Sequence, residues 1–327
     1  MAKTNMSVNT ETKRFDTKNI LRDQRILLFI IIVGGALIVG AVNEKFWNPM
    51  NIVAIFQQIA VAGLLTMAMG MLLLLGGIDL SIGNIMILSG CVMSVLLTNG
   101  VKLAIALPVG ILVSILCGLI NGIIIAKSKC MPLIISLGMS GAYFGIALLI
   151  TEGRFMSFKL AFEGLRTLKL FNIIPITLLI FIALVIVASI VVNRTKYGRR
   201  IVAIGGNEKN AYLSGINVDL YKILTYSLSG LYCGIAAILY ASRLDSITAQ
   251  GGSGYELTAL TGAIIGGITF DGGKGTILGA FLGVVLMGIL SNAMTILGVN
   301  TFVQEIVSGL IIVVAVVLSN IDAIRKK

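Results

Sequence analysis

The sequence predicts an all-α integral membrane protein with about ten transmembrane helices. Hydrophobic residues make up 57% of its 327 residues, charged residues make up only 12%, and the mean hydropathy is +1.02. Soluble domains carry about 25% charged residues, so an ordinary globular domain is excluded. Apolar runs of roughly 17–25 residues, the length that crosses a lipid bilayer as a helix, recur along the chain. We expect a cytoplasmic tail over residues 1–25, a transmembrane domain over 26–322 and a basic cytoplasmic terminus over 323–327.

The predicted spans follow one another through short polar connections. The first apolar run has a basic flank but no small-residue cleavage site after it, which favours an uncleaved first span over a signal peptide. The third and eighth runs are short enough to be tilted, broken or re-entrant, so the count can shift by about one. The predicted spans cover residues 26–42, 52–75, 85–97, 103–126, 133–150, 173–192, 223–241, 257–270, 277–297 and 302–318.

The distribution of lysine and arginine predicts how the chain is oriented. With the amino terminus inside, most of the 25 basic residues fall on the cytoplasmic side, as the positive-inside rule requires. Both termini and the polar segment 193–222 are then cytoplasmic, and the net charge of +11 needs no nucleic-acid partner. The loop 151–172 is the exception, because its four basic residues are only partly offset by Glu152 and Glu163. We expect it to be a small external element, such as a short amphipathic helix on the membrane surface.

The polar segment between the sixth and seventh spans has helix signals of its own. Residues 197–204 can continue the helix of the sixth span, and the Gly-Gly pair that follows is expected to break it. Asn207 is a good N-cap for a short helix through Ser214, and Gly215 suits the position just beyond its end. Such a helix is too short to be stable alone. It is either held between the membrane domain and a soluble partner, or it is an ordinary solvated loop near anionic lipid headgroups.

Glycine supplies two further signals. The 38 glycines include pairs at small-xxx-small spacing, which lets helix backbones approach closely in lipid and predicts a tight bundle. These pairs are Gly141 with Gly145, Gly230 with Gly234, Gly262 with Gly266, and Gly279 with Gly283. The clusters GGIDLSIG at 76–83 and GGITFDGGKG at 266–275 place an acid among glycines at the inner end of a span, which predicts a helix break. Their shared GGI hints at an internal repeat, whose symmetry three letters do not fix.

Motifs for catalysis are missing. The chain contains no histidine, which excludes a histidine triad or a histidine-ligated metal, and it has no nucleophile–base pair. The run around Lys274 lacks the spacing and the Ser or Thr of a phosphate-binding loop. We therefore expect no nucleotide hydrolysis, no cofactor and no metal site in this chain. The four cysteines are widely separated without a CxxC pair, and we interpret them as buried thiols or chance rather than ligands or disulfides.

A few polar residues lie within or beside the apolar spans. Asp79 is the one most worth testing, because an acid within a membrane helix is unfavourable and usually functional. The alternative is that Asp79 is interfacial, where it is solvated or caps the next helix. Asparagines in the spans could line a polar path or hold helices together, and Gln304 has the same two interpretations. The candidate residues of the translocation path are Asp79, Ser81, Asn84, Asn121 and Asn292.

Several motifs, in order, resemble those of the permease subunits of ribose-type (simple sugar) ABC importers. They are GGIDLSIG after the second span, GLINGIII at 118–125, GRRIVAIGGNEKNAYLSGI at 198–216 and TALTGAIIGGITFDGGKGTILGAFLG at 258–283. The third of these resembles the cytoplasmic coupling loop of that family. The resemblance covers nearly the whole chain from residue 46 onward. One departure is MPLIISLGMSGAY at 131–143, where the family is expected to carry a different run, and this leaves the substrate open.

The resemblance implies a passive transport subunit rather than an enzyme. It would form, as a homodimer in the cell membrane of a prokaryote, the path for a simple sugar such as ribose. ATP and magnesium would bind a separate cytoplasmic ATPase subunit, and an extracytoplasmic sugar-binding protein would deliver the substrate. ATP binding would move the short helix and shift the membrane helices between outward-open and inward-open states. Carried over by position, Arg199, Gly205, Gly206, Asn207, Ala211 and Gly215 belong to the coupling loop. Arg200 and Leu213 of the same segment complete the candidate ATPase-coupling residues.

Other functions stay open at this point. Within the importer class, the cargo could be another pentose or hexose, a nucleoside or a sugar-derived signalling molecule. An ion-coupled secondary transporter would take up solute with this polypeptide alone, and it would need paired intramembrane acids that the sequence lacks. An intramembrane enzyme is disfavoured by the absence of histidine and of a nucleophile–base pair.

Overall fold

The computed structural model describes residues 24–171 and 174–319, and most of these residues form helices. The predictions for most of the amino-terminal tail and for the basic carboxyl terminus lie outside the described residues. The helices are α1 (Gln24–Val42), α2 (Pro49–Leu75), α3 (Ile82–Thr98), α4 (Leu103–Ser128), α5 (Pro132–Thr151), α6 (Glu163–Thr167), α7 (Ile176–Arg194), α8 (Lys196–Gly206), α9 (Glu208–Leu213), α10 (Val218–Leu244), α11 (Tyr255–Ile265), α12 (Ile277–Ile296) and α13 (Thr301–Ser319).

Seven of the described helices are long and apolar enough to cross a membrane, namely α1, α2, α4, α5, α7, α10 and α12. Two further apolar helices are shorter by the same measure, α3 and α13 as far as Val317. α11 rises only about 16 Å, roughly half the thickness of the hydrocarbon core. The predicted count of about ten transmembrane helices is therefore not confirmed. The expected shortness of the third and eighth runs is confirmed, because these runs correspond to α3 and α11.

α2 is the central helix of the bundle. Its start is fixed by Asn48, whose side chain accepts a hydrogen bond from the Met50 N–H at 2.9 Å, and by Pro49 at the first helical position. Every residue from 59 to 75 is buried, because α7, α10, α11 and α12 pack around this stretch. A helix that is apolar on all sides is suited either to burial or to contact with lipid, and α2 is buried. The last turns of α2 therefore have almost no exposed surface, and they end at the helix break that follows Leu75.

Both glycine–acid clusters interrupt helices, as predicted, and both use a Schellman motif. Gly76 has a φ of +83° after α2, and Gly267 has a φ of +89° after α11. In each case the N–H of the next residue donates to the carbonyl oxygen five positions earlier, at 2.8 Å for Gly77 and 3.1 Å for Ile268. The glycine with a positive φ is the first residue of the GGI at 76–78, but the second residue of the GGI at 266–268. The shared letters are therefore not structurally equivalent, and they do not support an internal repeat.

Three of the four predicted glycine pairs lie at close helix contacts. A Cβ on Gly230 in α10 would lie 2.2 Å from the carbonyl oxygen of Ser114 in α4, so no larger residue fits there. Equally close approaches occur at Gly234, Gly266, Gly279 and Gly283. Gly141 and Gly145 in α5 have open space beside them, so that pair does not contribute to packing within this chain.

The segment predicted to be external is a folded element rather than a single amphipathic helix. A short helix is present as α6, and the segment also contributes to two strand pairs. These pairs are β1 (Met156–Ser157) with β4 (Ser246–Ile247), and β2 (Lys169–Leu170) with β3 (Ile174–Pro175). Phe158 and Phe162 are buried beneath the segment and meet edge to face, with ring centres 5.5 Å apart. The Asp245 carboxylate accepts a hydrogen bond from the Leu160 N–H at 3.0 Å. These contacts hold the segment against the end of α10.

Candidate functional site

The break between α2 and α3 holds a fully buried aspartate. Oδ1 of Asp79 accepts hydrogen bonds from the Ser81 N–H at 2.8 Å and from the Ser81 hydroxyl at 2.5 Å. Neither side chain is exposed. The carboxylate thus orders the turn that leads into α3, next to a helix amino terminus that favours negative charge. Asp79 is fully buried, so the alternative of a solvated Asp79 is wrong. The other form of that alternative, in which Asp79 acts at the start of the next helix, agrees with its hydrogen bonds to Ser81.

Asn121 in α4 and Tyr143 in α5 complete a closed polar network with this turn. Nδ2 of Asn121 donates to Oδ2 of Asp79 at 3.1 Å and to Oγ of Ser81 at 2.8 Å. The Tyr143 hydroxyl lies 2.8 Å from Oδ1 of Asn121 and 2.9 Å from the carbonyl oxygen of Cys117. All four side chains of the network are buried and hydrogen-bonded. We call Asp79, Ser81, Asn121 and Tyr143 the Asp79 network; it ties the α2–α3 break to α4 and α5.

Asp79→Asn is expected to destabilise the protein. The new amide would direct a donor at Nδ2 of Asn121, and turning either amide leaves a buried polar atom unpaired, which costs about 1–3 kcal/mol. The midpoint of thermal unfolding in detergent should fall. The double variant Asp79→Asn/Asn121→Asp restores a carboxylate facing an amide and should recover part of the loss. Additive losses in the double variant would contradict a direct interaction between the two side chains.

The other path candidates lie in separate interhelical contacts. Asn84 in α3 is half-buried, and its amide donates to Oγ of Ser140 in α5 at 2.8 Å. Asn292 in α12 and Asn51 in α2 exchange amide hydrogen bonds of 2.8 and 3.1 Å. Gln304 donates locally to a backbone carbonyl at 2.9 Å. The structure therefore brings three of the five candidates together in one network and places the other two elsewhere. Tyr143 was missed, although a tyrosine hydroxyl in an apolar run signals a buried hydrogen-bond partner.

α8 is a separate helix and not a continuation of α7, contrary to the prediction. Thr195 between them is extended, and its hydroxyl accepts a hydrogen bond from the Gly198 N–H at 3.2 Å, which starts a new helix. α8 ends at Gly206, so the predicted break at the Gly-Gly pair is confirmed. The Tyr197 hydroxyl lies 2.7 Å from Oγ1 of Thr225 in α10, and burial raises the pKa of Tyr197 to about 12. This hydroxyl therefore stays neutral at physiological pH and ties α8 to α10.

α9 has the capping chemistry that the sequence predicts, in a shorter helix. Oδ1 of Asn207 accepts a hydrogen bond from the Asn210 N–H at 2.8 Å. At the other end Gly215 has a φ of +81°, and the Ile216 N–H donates to the Ala211 carbonyl oxygen at 3.1 Å, which forms a Schellman motif. The helix has six residues and extends about 9 Å, so it depends on its surroundings for stability.

The surroundings of α9 differ on its two sides. Ala211 is buried against the bundle, and Glu208 forms a 2.7 Å ion pair with Lys222 of α10. Tyr212 and Leu213 point outward, with 70% and 72% of their surfaces exposed. Large apolar side chains that project from a short, well-capped helix are typical of a contact surface for another protein.

The two arginines that are predicted to contribute to coupling have different environments. Nη1 of Arg200 donates to the Tyr221 hydroxyl, and the guanidinium carbon lies 5.5 Å from the centre of that ring. Arg200 therefore fastens α8 to α10. Arg199 is exposed, and its Nη1 lies 3.5 Å from the carbonyl oxygen of Arg194 at the end of α7.

The end of α8 contacts the helix breaks after α2 and α11 through backbone atoms, with no side chain between them. The Gly273 N–H donates to the Leu74 carbonyl oxygen at 3.1 Å. A Cβ on Gly205 would lie 2.1 Å from that oxygen, and one on Gly272 would lie 2.8 Å from Cα of Gly76. We call Gly76, Gly205, Gly272 and Gly273 the glycine junction. Because the contacts are this close, any movement of the end of α8 toward α2 would displace the α2–α3 break.

A cavity of about 450 Å³ lies between α9 and the α2–α3 break. Its lining includes Gly77, Met131, Glu208, Asp219, Lys222 and Tyr226. The Tyr226 hydroxyl donates to the carbonyl oxygen of Ile78 at 2.9 Å, so the floor of the cavity is adjacent to Asp79. Cys130 also lines the cavity and is exposed, whereas the other three cysteines are buried, and none of the four forms a disulfide. Within residues 24–171 and 174–319, no group of three acids or cysteines could hold a metal ion.

The bundle of candidate spans, its two helix breaks and the capped helix on one end define a multi-pass membrane transport protein. The family model described as "Branched-chain amino acid transport system / permease component" matches residues 51–316. This range covers most of the chain. The chain therefore belongs to this family of transport permeases.

Relatives named as sugar import permeases align with nearly the whole chain. The ribose import permease protein of Bacillus subtilis (strain 168) is 34% identical over 319 residues, which cover 95% of this chain and 97% of the relative. That of Haemophilus influenzae is 32% identical over 324 residues, covering 98% and 99%. The D-allose transport system permease protein of Escherichia coli (strain K12) is 33% identical over 298 residues, 90% of each chain. No solved structure gives a significant match.

Proposed function

We propose that this chain is the membrane-spanning permease subunit of an ATP-binding cassette importer for a simple sugar, with ribose or a related monosaccharide as the cargo. The observation that carries the proposal is the full-length alignment with relatives named as ribose and allose permeases. α9, with its outward apolar side chains, supplies an attachment point for a separate ATPase. A nucleoside or a sugar-derived signal is the alternative cargo for the same architecture.

The ATPase would bind the exposed face of α9. Tyr212 and Leu213 are large, apolar and in contact with solvent, and burying one such side chain stabilises a complex by about 1.5–3 kcal/mol. The buried Ala211 and the Glu208–Lys222 ion pair hold the other side of α9 on the bundle. A force applied to α9 by the ATPase would therefore pass into the membrane domain. The basic residues of this segment support its placement in the cytoplasm, with both termini on the same side.

Movement of α9 would reach the transport path through α8 and the glycine junction. Asn207 links the two helices, and Gly205 contacts the backbone of both breaks. The Asp79 network then couples the α2–α3 break to α4 and α5, so that these helices shift as rigid bodies between outward-open and inward-open states. In this scheme Asp79, Ser81 and Asn121 position the helices beside the path. Asn84 is half-buried and is a candidate for direct contact with the sugar.

Further subunits would complete the importer. Two copies of this chain would form the path, and an extracytoplasmic sugar-binding protein would load it from the opposite side. A sugar has to bind weakly enough to leave again, which fits uncharged polar contacts better than intramembrane charges. Among the described residues, the only acid buried inside the bundle is Asp79, and its carboxylate is fully occupied by the network.

Reconstituted uptake tests this function. Proteoliposomes that contain this chain and its ATPase, supplied with the sugar-binding protein, are expected to accumulate radiolabelled ribose or a related monosaccharide when ATP is present on the ATPase side. Vesicles with this chain alone should show no uptake, even with an imposed proton or sodium gradient. Gradient-driven uptake by the chain alone would instead establish a secondary transporter. ATP-driven uptake of a nucleoside but of no sugar would support the alternative cargo.

A further inference from the structure

Three basic side chains form an exposed cluster where α7 meets α8. Arg194 is the last residue of α7, and Lys196 and Arg199 belong to the first turn of α8. All three are exposed, and none forms an ion pair with a carboxylate of the described residues. The nearby acids Glu208 and Asp219 are paired with Lys222 and Lys127 instead. Three positive charges without acidic partners therefore face outward at one place.

The cluster lies at the end of a row of exposed aliphatic side chains on α7. Ile182, Ile186 and Ile190 follow one another at a spacing of four, and 36%, 53% and 52% of their surfaces are exposed. Residues four apart share a face of a helix, so Arg194 continues the row. A phospholipid whose acyl chain lies along this row would bring its headgroup to the arginine.

The local backbone keeps the three bases together. A Cβ on Gly198 would lie 1.9 Å from the carbonyl oxygen of Val192, so glycine allows α8 to pack directly against the end of α7. Thr195 fixes the turn by accepting the Gly198 N–H and by donating to the Val191 carbonyl oxygen at 2.6 Å. Arg199 reaches back to the Arg194 carbonyl oxygen at 3.5 Å. The bases are thus arranged by the fold and do not depend on a partner protein for their proximity.

We propose that this surface binds the headgroup of an anionic phospholipid, such as phosphatidylglycerol. Guanidinium groups bind phosphate oxygens through paired hydrogen bonds, and the lysine adds a third charge. Lipid fits better than the ATPase, because the outward apolar side chains lie on α9, and the neighbouring Arg200 is occupied by Tyr221. Arg199, a coupling candidate by position, would then bind lipid beside the coupling helix. The proposal depends on the chain being embedded in a membrane and not on the identity of its cargo.

Lipid binding to the purified chain provides the test. Native mass spectrometry would count phosphatidylglycerol bound to the detergent-solubilised protein across a titration, with phosphatidylcholine as the neutral lipid. The triple variant Arg194→Gln/Lys196→Gln/Arg199→Gln should bind phosphatidylglycerol about a hundredfold more weakly, since each base contributes roughly fivefold near an anionic membrane surface. The single variant Arg194→Gln should bind it about fivefold more weakly. The matched control Lys129→Gln/Lys209→Gln/Lys274→Gln removes the same charge from other exposed positions and should bind as the wild type does.

Four results would overturn the proposal. Unchanged phosphatidylglycerol binding in the triple variant would show that the cluster is not its site. An equal loss in the control variant would show a general charge effect. A triple variant that keeps phosphatidylglycerol but loses affinity for the ATPase would assign the cluster to the ATPase. Glycerophosphoglycerol, which is the free headgroup, should compete poorly because it cannot use the aliphatic row of α7, and full competition by it would contradict a lipid site.

Discussion

Leu213→Glu is expected to leave the permease folded and inserted but to abolish its productive contact with the ATPase. The leucine is 72% exposed, so the substitution leaves no cavity in the chain itself. On docking, the new carboxylate would be buried without a partner, which costs about 3–5 kcal/mol. The affinity of the ATPase should therefore fall by about a hundredfold or more. ATPase binding to permease in nanodiscs, measured by light interferometry or calorimetry, gives this number directly.

Leu168→Glu is the matched control, because Leu168 is also an exposed leucine, 59% accessible, on the segment predicted to lie outside. It should bind the ATPase with wild-type affinity. Equal affinity of the wild type and the Leu213 variant would show that α9 is not the docking surface. Ala211→Glu is a less specific variant, since Ala211 is buried against the bundle and its replacement would also disturb the packing of α9.

Gly205→Ala is expected to uncouple sugar uptake from ATP hydrolysis. The added methyl group would lie 2.1 Å from the Leu74 carbonyl oxygen and 2.6 Å from the Gly273 nitrogen, both of which belong to the backbone. The end of α8 must then withdraw from the junction. Overpacking of this kind costs about 1–3 kcal/mol. When this cost is subtracted from the free energy that couples the ATPase to the transport path, the coupling weakens by about 5–150-fold. Sugar molecules taken up per ATP hydrolysed, measured in proteoliposomes, should fall by a factor in this range.

Gly206→Ala is the matched control for the junction. Gly206 is the next residue along α8 and is one of the coupling candidates by resemblance, but a Cβ placed on it meets no atom within 4 Å outside its own helix and its chain neighbours. It therefore separates the steric effect at the junction from a general effect of alanine in this segment. Its uptake per ATP should stay at the wild-type value. The junction would lose its proposed role if both alanine variants transported normally, or if both lost the same fraction of activity.

The capped helix of the polar segment could be predicted from local sequence because its signals are local. Asn207 and Gly215 act on backbone groups only a few residues away, and the structure confirms both ends. The connection before it was mispredicted. Residues 197–204 are compatible with a continued helix, but the close approach of Gly198 to the end of α7 and the hydroxyl of Thr195 start a new helix instead.

The Asp79 network could be predicted only in part. The spacing of Asp79 and Ser81 is visible in the sequence, and so is the helix break around them. Asn121 and Tyr143 lie 42 and 64 positions after Asp79, in two other helices. Nothing in their local sequence specifies which acid they contact. Membrane helices carry apolar residues on all faces, so periodicity does not indicate which side of α4 or α5 points inward.

The glycine junction is the feature that sequence reasoning did not anticipate. Contacts between glycine backbones involve no apolar or charged side chains, so no sequence pattern predicts them. Gly205 could be placed in the coupling loop by resemblance, whereas its contact with Leu74 and Gly273 depends on how three separate segments converge. The absence of a Cβ is informative only once the neighbouring backbone is known.

Nucleotide-driven movement of α9 relative to the α2–α3 break can be measured at Cys130. This is the exposed one among the four cysteines, and it lines the cavity between these two elements. In the assembled importer, the rate at which a soluble maleimide labels Cys130 is predicted to differ between the nucleotide-free state and the state held by a non-hydrolysable ATP analogue. Gly205→Ala should remove that difference. Equal labelling rates in both states of an importer that transports sugar would contradict the proposed transmission through α8 and the glycine junction.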